Sequence, residues 1–227
     1  MTYKVLAKHP HKRNSFTQGL LIHEQQIYES VGRYRHSALH RYPLGAFNPD
    51  QAGKRLALPN NVFAEGISLF DNKLYLLSWQ RGLVYVFDPS NFKKLHTLSY
   101  SGEGWGLSNN GQEFIMSNGS STLLFRDPAD FKILRKLTVT RNGKALQDLN
   151  ELEYFDGLIW ANVWHKTIIV GINPESGEVE REIDVSALAA ENITGKHGSV
   201  LNGIAWDGQT LWLTGKYWPW MYQLEIQ

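Results

Sequence analysis

The feature that most constrains the fold of this chain is an internal repeat. The segment from Phe63 to Trp79 aligns without a gap, over about seventeen residues, with four other segments spread along the chain. The residues that align with Glu65 are Gln18, Trp105, Asn150 and Asn202. Each of the five units is about 40 to 50 residues long, which is the length of one four-stranded blade of a β-propeller.

Within the units, short runs of alternating apolar and polar residues predict β-strands. Examples are Leu74–Ser78, Leu83–Phe87 and Leu158–Asn162. Turn-forming pairs separate the runs, at Asp71–Asn72, Asn110–Gly111, Asp156–Gly157 and Asp207–Gly208. The one predicted helix is short and lies near Val185–Asn192. No linker interrupts this pattern, so the sequence predicts an all-β, five-bladed β-propeller with four-stranded blades, in a single domain over residues 1–227.

The two ends of the sequence predict how the ring of blades closes. The fifth unit has room for only three strands, of which the last is Met221–Ile226. The run Tyr3–Ala7 precedes the first unit and is a spare strand. We expect this N-terminal strand to join the last blade, because it then closes the ring and protects an open sheet edge.

Composition excludes several classes of protein. The chain has no cysteine, which excludes disulfide scaffolds, thiol nucleophiles and cysteine-bound metals. The 23 Lys and Arg residues nearly balance the 22 Asp and Glu residues, so we expect no nucleic-acid partner. No apolar run reaches the length of about 18 residues that crosses a membrane. The start of the sequence lacks a signal peptide, so we expect a cytoplasmic protein, or a periplasmic or secreted one if an export signal has been removed.

Two repeat positions predict a ligand site. The positions of Glu65 and Trp79 lie at the open end of one hairpin, so the repeat places them in two rings around one mouth of the central channel. The first ring holds Gln18, Glu65, Trp105, Asn150 and Asn202, and the second holds Gly32, Trp79, Gly119, Trp164 and Lys216. The rings mix indole, amide, carboxylate and ammonium groups, as an asymmetric ligand pocket requires. The alternative is that these are only loop-end residues of a propeller.

The position that follows Glu65 behaves differently from the two rings. It is glycine in four of the five units, and Glu151 is the exception. Glycine at this position is expected where inner strands crowd around an axis.

The ring residues also carry a family resemblance, which spans nearly the whole chain. The motifs Phe16–Leu20, Phe63–Gly66, Glu103–Leu107, Leu149–Glu153 and Leu201–Trp206 resemble those of the glutaminyl-peptide cyclotransferases of the plant and bacterial type. That family is a five-bladed β-propeller that converts N-terminal glutamine to pyroglutamate and releases ammonia. Its plant members carry cysteines, so their absence here suggests a bacterial relative.

The resemblance implies a pocket at the channel mouth. The nine residues that match the family's pocket in type are Phe16, Gln18, Phe63, Glu65, Trp79, Trp105, Asn150, Trp164 and Lys216. It also implies that the partners are peptides or proteins with an N-terminal glutamine. We expect a monomer that uses no metal and no other cofactor.

The chemistry of cyclisation assigns tasks to some of these residues. Glu65 is the expected acid/base, because it is the only carboxylate in the first ring and aromatic neighbours raise a carboxyl pKa. The three indoles are expected to enclose the substrate. Lys216 and Asn150 are the expected donors to the oxyanion, with Gln18 as a further donor. Glu103 is the second candidate for an acid/base or for binding the substrate ammonium group.

Other interpretations of the sequence stay open. A non-catalytic propeller could use the same pocket to bind a peptide terminus or a protein. A calcium-dependent hydrolase such as a lactonase is disfavoured, since its ion needs several carboxylates or amides where the rings hold indoles and a lysine. We interpret Arg33, Arg35 and Arg41 as part of a solvated outer strand, and the eight histidines as packed or solvated.

Overall fold

The computed structural model describes residues 1–46, 53–192 and 195–227. Within these ranges the chain forms five four-stranded sheets, one two-stranded hairpin and one short helix, α1 (Ser186–Ala190). The all-β, five-bladed propeller predicted from the sequence is therefore confirmed, and so is the short helix.

The blades follow one another in chain order. The first holds β2 (Thr17–His23), β3 (Gln26–Val31), β4 (Ala38–Pro43) and β5 (Lys54–Ala57). The second holds β6 (Ala64–Phe70), β7 (Lys73–Ser78), β8 (Leu83–Phe87) and β9 (Lys94–Ser99). The third holds β10 (Leu107–Asn109), β11 (Phe114–Met116), β12 (Thr122–Arg126) and β13 (Ile133–Thr138). A hairpin of β14 (Thr140–Arg141) and β15 (Lys144–Ala145) precedes the fourth, which holds β16 (Leu149–Phe155), β17 (Leu158–Val163), β18 (Ile168–Ile172) and β19 (Val179–Asp184).

The fifth blade closes the ring in the predicted way. Its strands are β20 (Leu201–Trp206), β21 (Leu211–Gly215), β22 (Trp220–Ile226) and the N-terminal β1 (Tyr3–Pro10). β1 pairs antiparallel with β22, from Tyr3 opposite Ile226 to Pro10 opposite Trp220. The edge of β22 is thereby covered by the start of the same chain, as the missing fourth strand required.

The inner strand of each blade lies against the inner strands of both neighbours, so that β2, β6, β10, β16 and β20 form a closed ring. Gly66 shows why this ring needs glycine. Its amide donates to the carbonyl of Trp105 at 2.6 Å, and a Cβ atom built on it lies only 2.7 Å from that same oxygen. A side chain at this position therefore clashes with the backbone of the next blade.

Glu151 takes the equivalent position in the fourth blade, where it places a buried side chain between the inner strands instead of the glycine of the other four blades. Its side chain is buried, and its two carboxylate oxygens accept the backbone amides of Leu20 at 3.3 Å and Ile204 at 2.7 Å. Burial and the charge of Glu153 raise the pKa of the Glu151 carboxyl well above its ordinary value. The exception to the glycine pattern thus joins the inner strands of the first and fifth blades.

The two ends of the propeller carry opposite charge. We call the end at which the inner strands begin the upper end, and the end at which they finish the lower end. Among the described residues, the connections at the upper end carry ten basic side chains and three acidic ones: Lys12, Arg13, Arg33, Arg35, Arg81, Arg141, Lys144, Lys166, Lys196 and Lys216, against Glu103, Asp148 and Glu191. Those at the lower end carry ten acidic side chains and two basic ones: Glu24, Asp71, Asp88, Glu113, Asp127, Asp130, Asp156, Glu175, Glu178 and Asp207, against Lys93 and Lys132.

This distribution corrects one expectation from the sequence. Arg33 and Arg35 do not belong to an outer strand, because they lie in the upper connection between β3 and β4. Arg41 lies on β4, the third strand of its blade, and donates to the backbone carbonyls of Pro89 and Ser90 in the next blade. The three arginines, although close in sequence, therefore have different places: Arg33 and Arg35 lie at the upper end of the propeller, and Arg41 forms a contact between two blades.

Candidate active site

A cavity of about 200 Å³ opens at the upper end of the channel. The nine residues that line it are Phe16, Gln18, Phe63, Glu65, Trp79, Trp105, Asn150, Trp164 and Lys216. They come from all five blades, and they are the same nine that the sequence assigned to the pocket. The cavity is smaller than the usual range for small-molecule sites, about 300–1,000 Å³, which suits a single amino-acid residue.

β-Bulges in the inner strands lie at the positions of the first ring and affect how its side chains are oriented. In four blades the pairing of the inner strand with its neighbour shifts register at the ring position, for example between Ala64 and Ile67 around Glu65. Such a bulge bends the strand and redirects the side chain, and bulges of this kind are common beside active sites.

A glycine of the second ring makes room for a wall of the cavity. A Cβ atom built on Gly32 lies 2.5 Å from the ring of Phe63 and 2.8 Å from the side chain of Gln18. Only a residue without a side chain fits here, so the glycines of this ring serve the pocket by leaving space rather than by lining it.

Glu65 is the buried carboxylate of the cavity. Its side chain is 4% exposed, and Oε1 accepts a hydrogen bond from Nε2 of Gln18 at 2.8 Å. Burial raises the pKa of Glu65 well above the ordinary glutamate value, the charge of Lys216 lowers it in part, and the charge of Glu103 raises it further. Glu65 is therefore a carboxyl group that holds a proton more tightly than an ordinary glutamate, which is the direction that general acid–base catalysis requires.

Lys216 faces Glu65 across the cavity without a direct ion pair between them. Its Nζ lies 4.7 Å from the centre of the Phe16 ring, a cation–π contact. Burial lowers the pKa of Lys216 to about 8, and the negative charge of Glu65 opposes that shift. The separated pair leaves a space with a proton acceptor on one side and a cation on the other.

Aromatic rings form the rest of the wall. Trp105 and Trp164 meet edge to face, with ring centres 5.4 Å apart. Phe63 lies 5.4 Å from Trp79 and 6.2 Å from Phe16. These rings make the wall largely apolar, and aromatic rings attract a cation that enters such a cavity.

Glu103 lies outside the cavity lining, where it holds two of the indoles. Its Oε2 accepts from the indole nitrogens of Trp79 at 2.8 Å and Trp105 at 3.1 Å, and its Oε1 accepts from Gln80 at 3.0 Å. The hydrogen bond from Gln80, together with those from the indoles, lowers the pKa of Glu103. Glu103, the second candidate from the sequence for an acid/base or for binding the ammonium group, thus lies behind the indoles of Trp79 and Trp105 and not in the cavity lining.

Asn202 shares the first ring but does not line the cavity. Its side-chain amide donates to the carbonyl of Thr17 at 2.9 Å and to Oε1 of Gln18 at 3.5 Å. With its oxygen engaged, Gln18 turns its NH₂ group toward Glu65. The sequence placed Asn202 in the ring but gave it no role, because its hydrogen bonds cross from the fifth blade to the first.

In the described part of the chain, no three His, Asp or Glu side chains come close enough together to hold a metal ion. The described residues also contain no helix that is both long and apolar enough to traverse a bilayer.

Comparison with known proteins gives a consistent result. Residues 1–226 match the family described as glutamine cyclotransferase. The chain is 35% identical over 230 residues to a glutaminyl-peptide cyclotransferase from Arabidopsis thaliana, an alignment that covers 99% of this chain and 71% of that protein. The crystal structure of a glutaminyl cyclase from Myxococcus xanthus superposes with a TM-score of 0.89 at 33% identity, covering 99% of this chain and 96% of that one.

A more distant structure shares only the fold. A virginiamycin B lyase from Staphylococcus aureus superposes with a TM-score of 0.54 at 13% identity, covering 93% of this chain and 66% of the other. The family match over residues 1–226 and the two relatives above 30% identity show, in contrast, that this chain belongs to the glutamine cyclotransferase family of enzymes.

Proposed function

We propose that this enzyme cyclises the N-terminal glutamine of peptides or proteins to pyroglutamate, with release of ammonia, in the cavity around Glu65. The observation that carries the proposal is a buried carboxylate with a raised pKa, facing a lysine across a space that admits about one residue. Family membership supports the reaction class. The assignment of individual steps to residues rests on their positions around the cavity.

The first step forms the ring. The free α-amine of the substrate attacks the side-chain amide carbon, and both groups belong to one residue, so a pocket that holds the chain curled gives a high effective concentration. Glu65 accepts the proton that the amine loses on attack. Its hydrogen bond from Gln18 fixes one carboxylate oxygen and leaves the other to face the substrate.

The second step moves negative charge onto the amide oxygen. Lys216 and Asn150 are two of the donors that line the cavity, whereas the NH₂ group of Gln18 already bonds to Glu65. Preorganised donors in a buried site stabilise an oxyanion strongly, because the surroundings do not need to reorient. We assign the oxyanion to Lys216 and Asn150 on this ground.

The third step expels ammonia. The carbon–nitrogen bond of the tetrahedral intermediate breaks, and Glu65 returns its proton to the departing nitrogen. One carboxyl group thus serves as base and then as acid, which requires a pKa raised from the ordinary glutamate value. Glu103 acts by positioning Trp79 and Trp105 rather than by touching the substrate.

The test of this function is product formation from a small substrate. Incubation with the dipeptide Gln-Ala is expected to give pyroglutamyl-Ala and one equivalent of ammonia. Acetyl-Gln-Ala, which lacks the nucleophilic amine, is the control and should release no ammonia. Saturable binding of Gln-Ala without any product would favour the non-catalytic alternative.

We also propose that the reaction needs no metal ion, since the groups assigned to each step are side chains of the cavity. Turnover of Gln-Ala is expected to be unchanged after dialysis against EDTA or phenanthroline. Loss of turnover that added zinc or calcium restores would overturn this part of the proposal and leave the cyclisation itself standing.

A further inference from the structure

A second cleft lies directly beside the active-site cavity at the upper end. It measures about 530 Å³, and we call it the basic cleft; its lining includes Asn14, Gly32, Arg33, His36, Lys196 and His197. Gly32 belongs to this lining and lies so near Phe63 and Gln18 of the cavity that a Cβ atom built on it clashes with both. The two spaces are therefore neighbours that share a wall at Gly32.

Arg33 is held in a defined position in this cleft. Its guanidinium donates to the hydroxyl of Tyr217 at 2.8 Å, and the ring of Tyr217 in turn packs against Phe16 with centres 5.3 Å apart. The backbone of Arg33 has a φ of 94°, a conformation that residues with side chains rarely adopt. In the described part of the chain, no carboxylate forms an ion pair with Arg33.

The surroundings of the cleft reinforce the charge of Arg33. Among the described lining residues there is no Asp or Glu, either in the basic cleft or in the neighbouring groove that contains His165 and Lys166. The excess of basic side chains over the whole upper end adds a positive field in the same direction. The net charge of the whole chain is only +1, because the acidic side chains of the lower end cancel the basic ones of the upper end in the sum.

We propose that the basic cleft binds an acidic side chain at the second or third residue of the substrate, so that peptides with Asp or Glu after the N-terminal glutamine are preferred. This inference rests on the proposed cyclisation. Arg33 supplies the charge-assisted hydrogen bonds, and the field of the upper end accelerates encounter with acidic peptides.

Four amidated peptides test the preference: Gln-Glu-Ala-Ala, Gln-Ala-Glu-Ala, Gln-Ala-Ala-Ala and Gln-Lys-Ala-Ala. At low ionic strength we expect kcat/KM for the better of the two acidic peptides to exceed that for the all-alanine peptide by about three- to fivefold, with the lysine peptide slowest. Added salt should reduce the ratio. If no peptide cyclises, the proposed function fails; if all cyclise equally, only the preference fails.

Matched variants locate the preference in the cleft. Arg33→Gln should lower the ratio of acidic to all-alanine kcat/KM toward one, and Arg33→Lys, which keeps the charge, should retain most of it. Arg81→Gln removes a positive charge from the same end of the propeller but outside the cleft, and should lower the ratio far less than Arg33→Gln does. An equal loss of the ratio in Arg33→Gln and Arg81→Gln would overturn the assignment to the basic cleft.

Discussion

Two glutamates, Glu65 in the cavity and Glu29 on β3, are both buried, yet their carboxyl pKa values are shifted in opposite directions. Glu29 is 2% exposed and accepts hydrogen bonds from His11 at 3.1 Å, Thr17 at 2.7 Å and Tyr42 at 3.3 Å. Burial alone raises the pKa of Glu29, but the charges of His11 and His40 and the hydrogen bonds from His11 and Thr17 together outweigh it and bring the pKa down to about 2. Glu65 has one such donor, Gln18, and its pKa rises.

The difference teaches that the number and charge of the partners decide what a buried carboxylate does. Glu29 is saturated with donors and lies between the first blade and His11, which follows the N-terminal strand of the last blade. It stabilises the closure of the ring and does not exchange protons near neutral pH. Glu65 keeps acceptor capacity toward an open cavity, and its charged form is only partly stabilised, so a substrate proton can bind there.

The largest expected effect concerns Glu65. Glu65→Gln keeps the size and the acceptor oxygen for Gln18 but cannot carry a proton, so kcat for Gln-Ala should fall by about 10²–10⁴-fold. The melting temperature should stay close to that of the parent protein. A folded Glu65→Gln protein that cyclises within a few-fold of the parent rate would remove Glu65 from the mechanism, and Glu103→Gln would be measured next.

The second prediction concerns Glu29, the buried glutamate that accepts several hydrogen bonds. Glu29→Gln removes the charge that His11 faces and should lower the free energy of unfolding by about 3–5 kcal/mol, the usual cost of breaking a buried ion pair. Denaturant titration measures it. Glu24→Gln, at an exposed glutamate of the first blade, is the control and should stay within about 0.5 kcal/mol of the parent.

The stability contributed by Glu29 also has a defined pH window. Because its folded pKa, about 2, lies below the unfolded value of 4.5, this stability is present above pH 4.5 and is lost as the pH falls toward 2. His11 has a raised pKa, so its contribution is present below its unfolded pKa of 6.5 and is lost as the pH rises through the folded value. The gap in stability between parent and Glu29→Gln should therefore close in acid; a constant gap would contradict the ion pair.

A third carboxylate sharpens the comparison with a smaller effect. Glu151 accepts two backbone amides but faces no cation, and its pKa is raised like that of Glu65. Glu151→Ala leaves those two buried amides without a partner and should cost about 1–3 kcal/mol of unfolding free energy. We expect kcat/KM for Gln-Ala to stay unchanged, since Glu151 does not line the cavity. A loss of activity without a loss of stability would show that Glu151 acts on the cavity.

The smallest expected effect is a displacement of the pH profile. The acid limb of kcat/KM reports the ionisation of the base in the free enzyme, and the charge of Lys216 lowers the pKa of Glu65. In Lys216→Met the residual activity should therefore show an acid limb at higher pH, and the alkaline limb near the Lys216 pKa of about 8 should disappear. The same peptide is used for both proteins, so that titration of the substrate amine cancels. An acid limb that stays in place would show that the two groups do not interact.

The sequence by itself determined the blade count, the closure by the N-terminal strand and the residues that surround the cavity. The physical reason is that a propeller repeats one unit about an axis, so equivalent positions in the chain become equivalent positions in space. Once Glu65 and Trp79 lie at one end of a hairpin, the other eight members of the two rings lie at that end too, and five of those eight line the cavity. The two remaining lining residues, Phe16 and Phe63, were named by the family resemblance.

Only the tertiary structure decided what the ring members and the residues beside them do. Glu103 turns behind Trp79 and Trp105, and Asn202 turns toward Gln18, because their hydrogen bonds reach partners in other hairpins or blades. The separation of charge between the two ends is likewise a property of the folded ring. The connections alternate between the upper and lower ends along the chain, so opposite charges that lie close together in the sequence end up on opposite faces of the propeller.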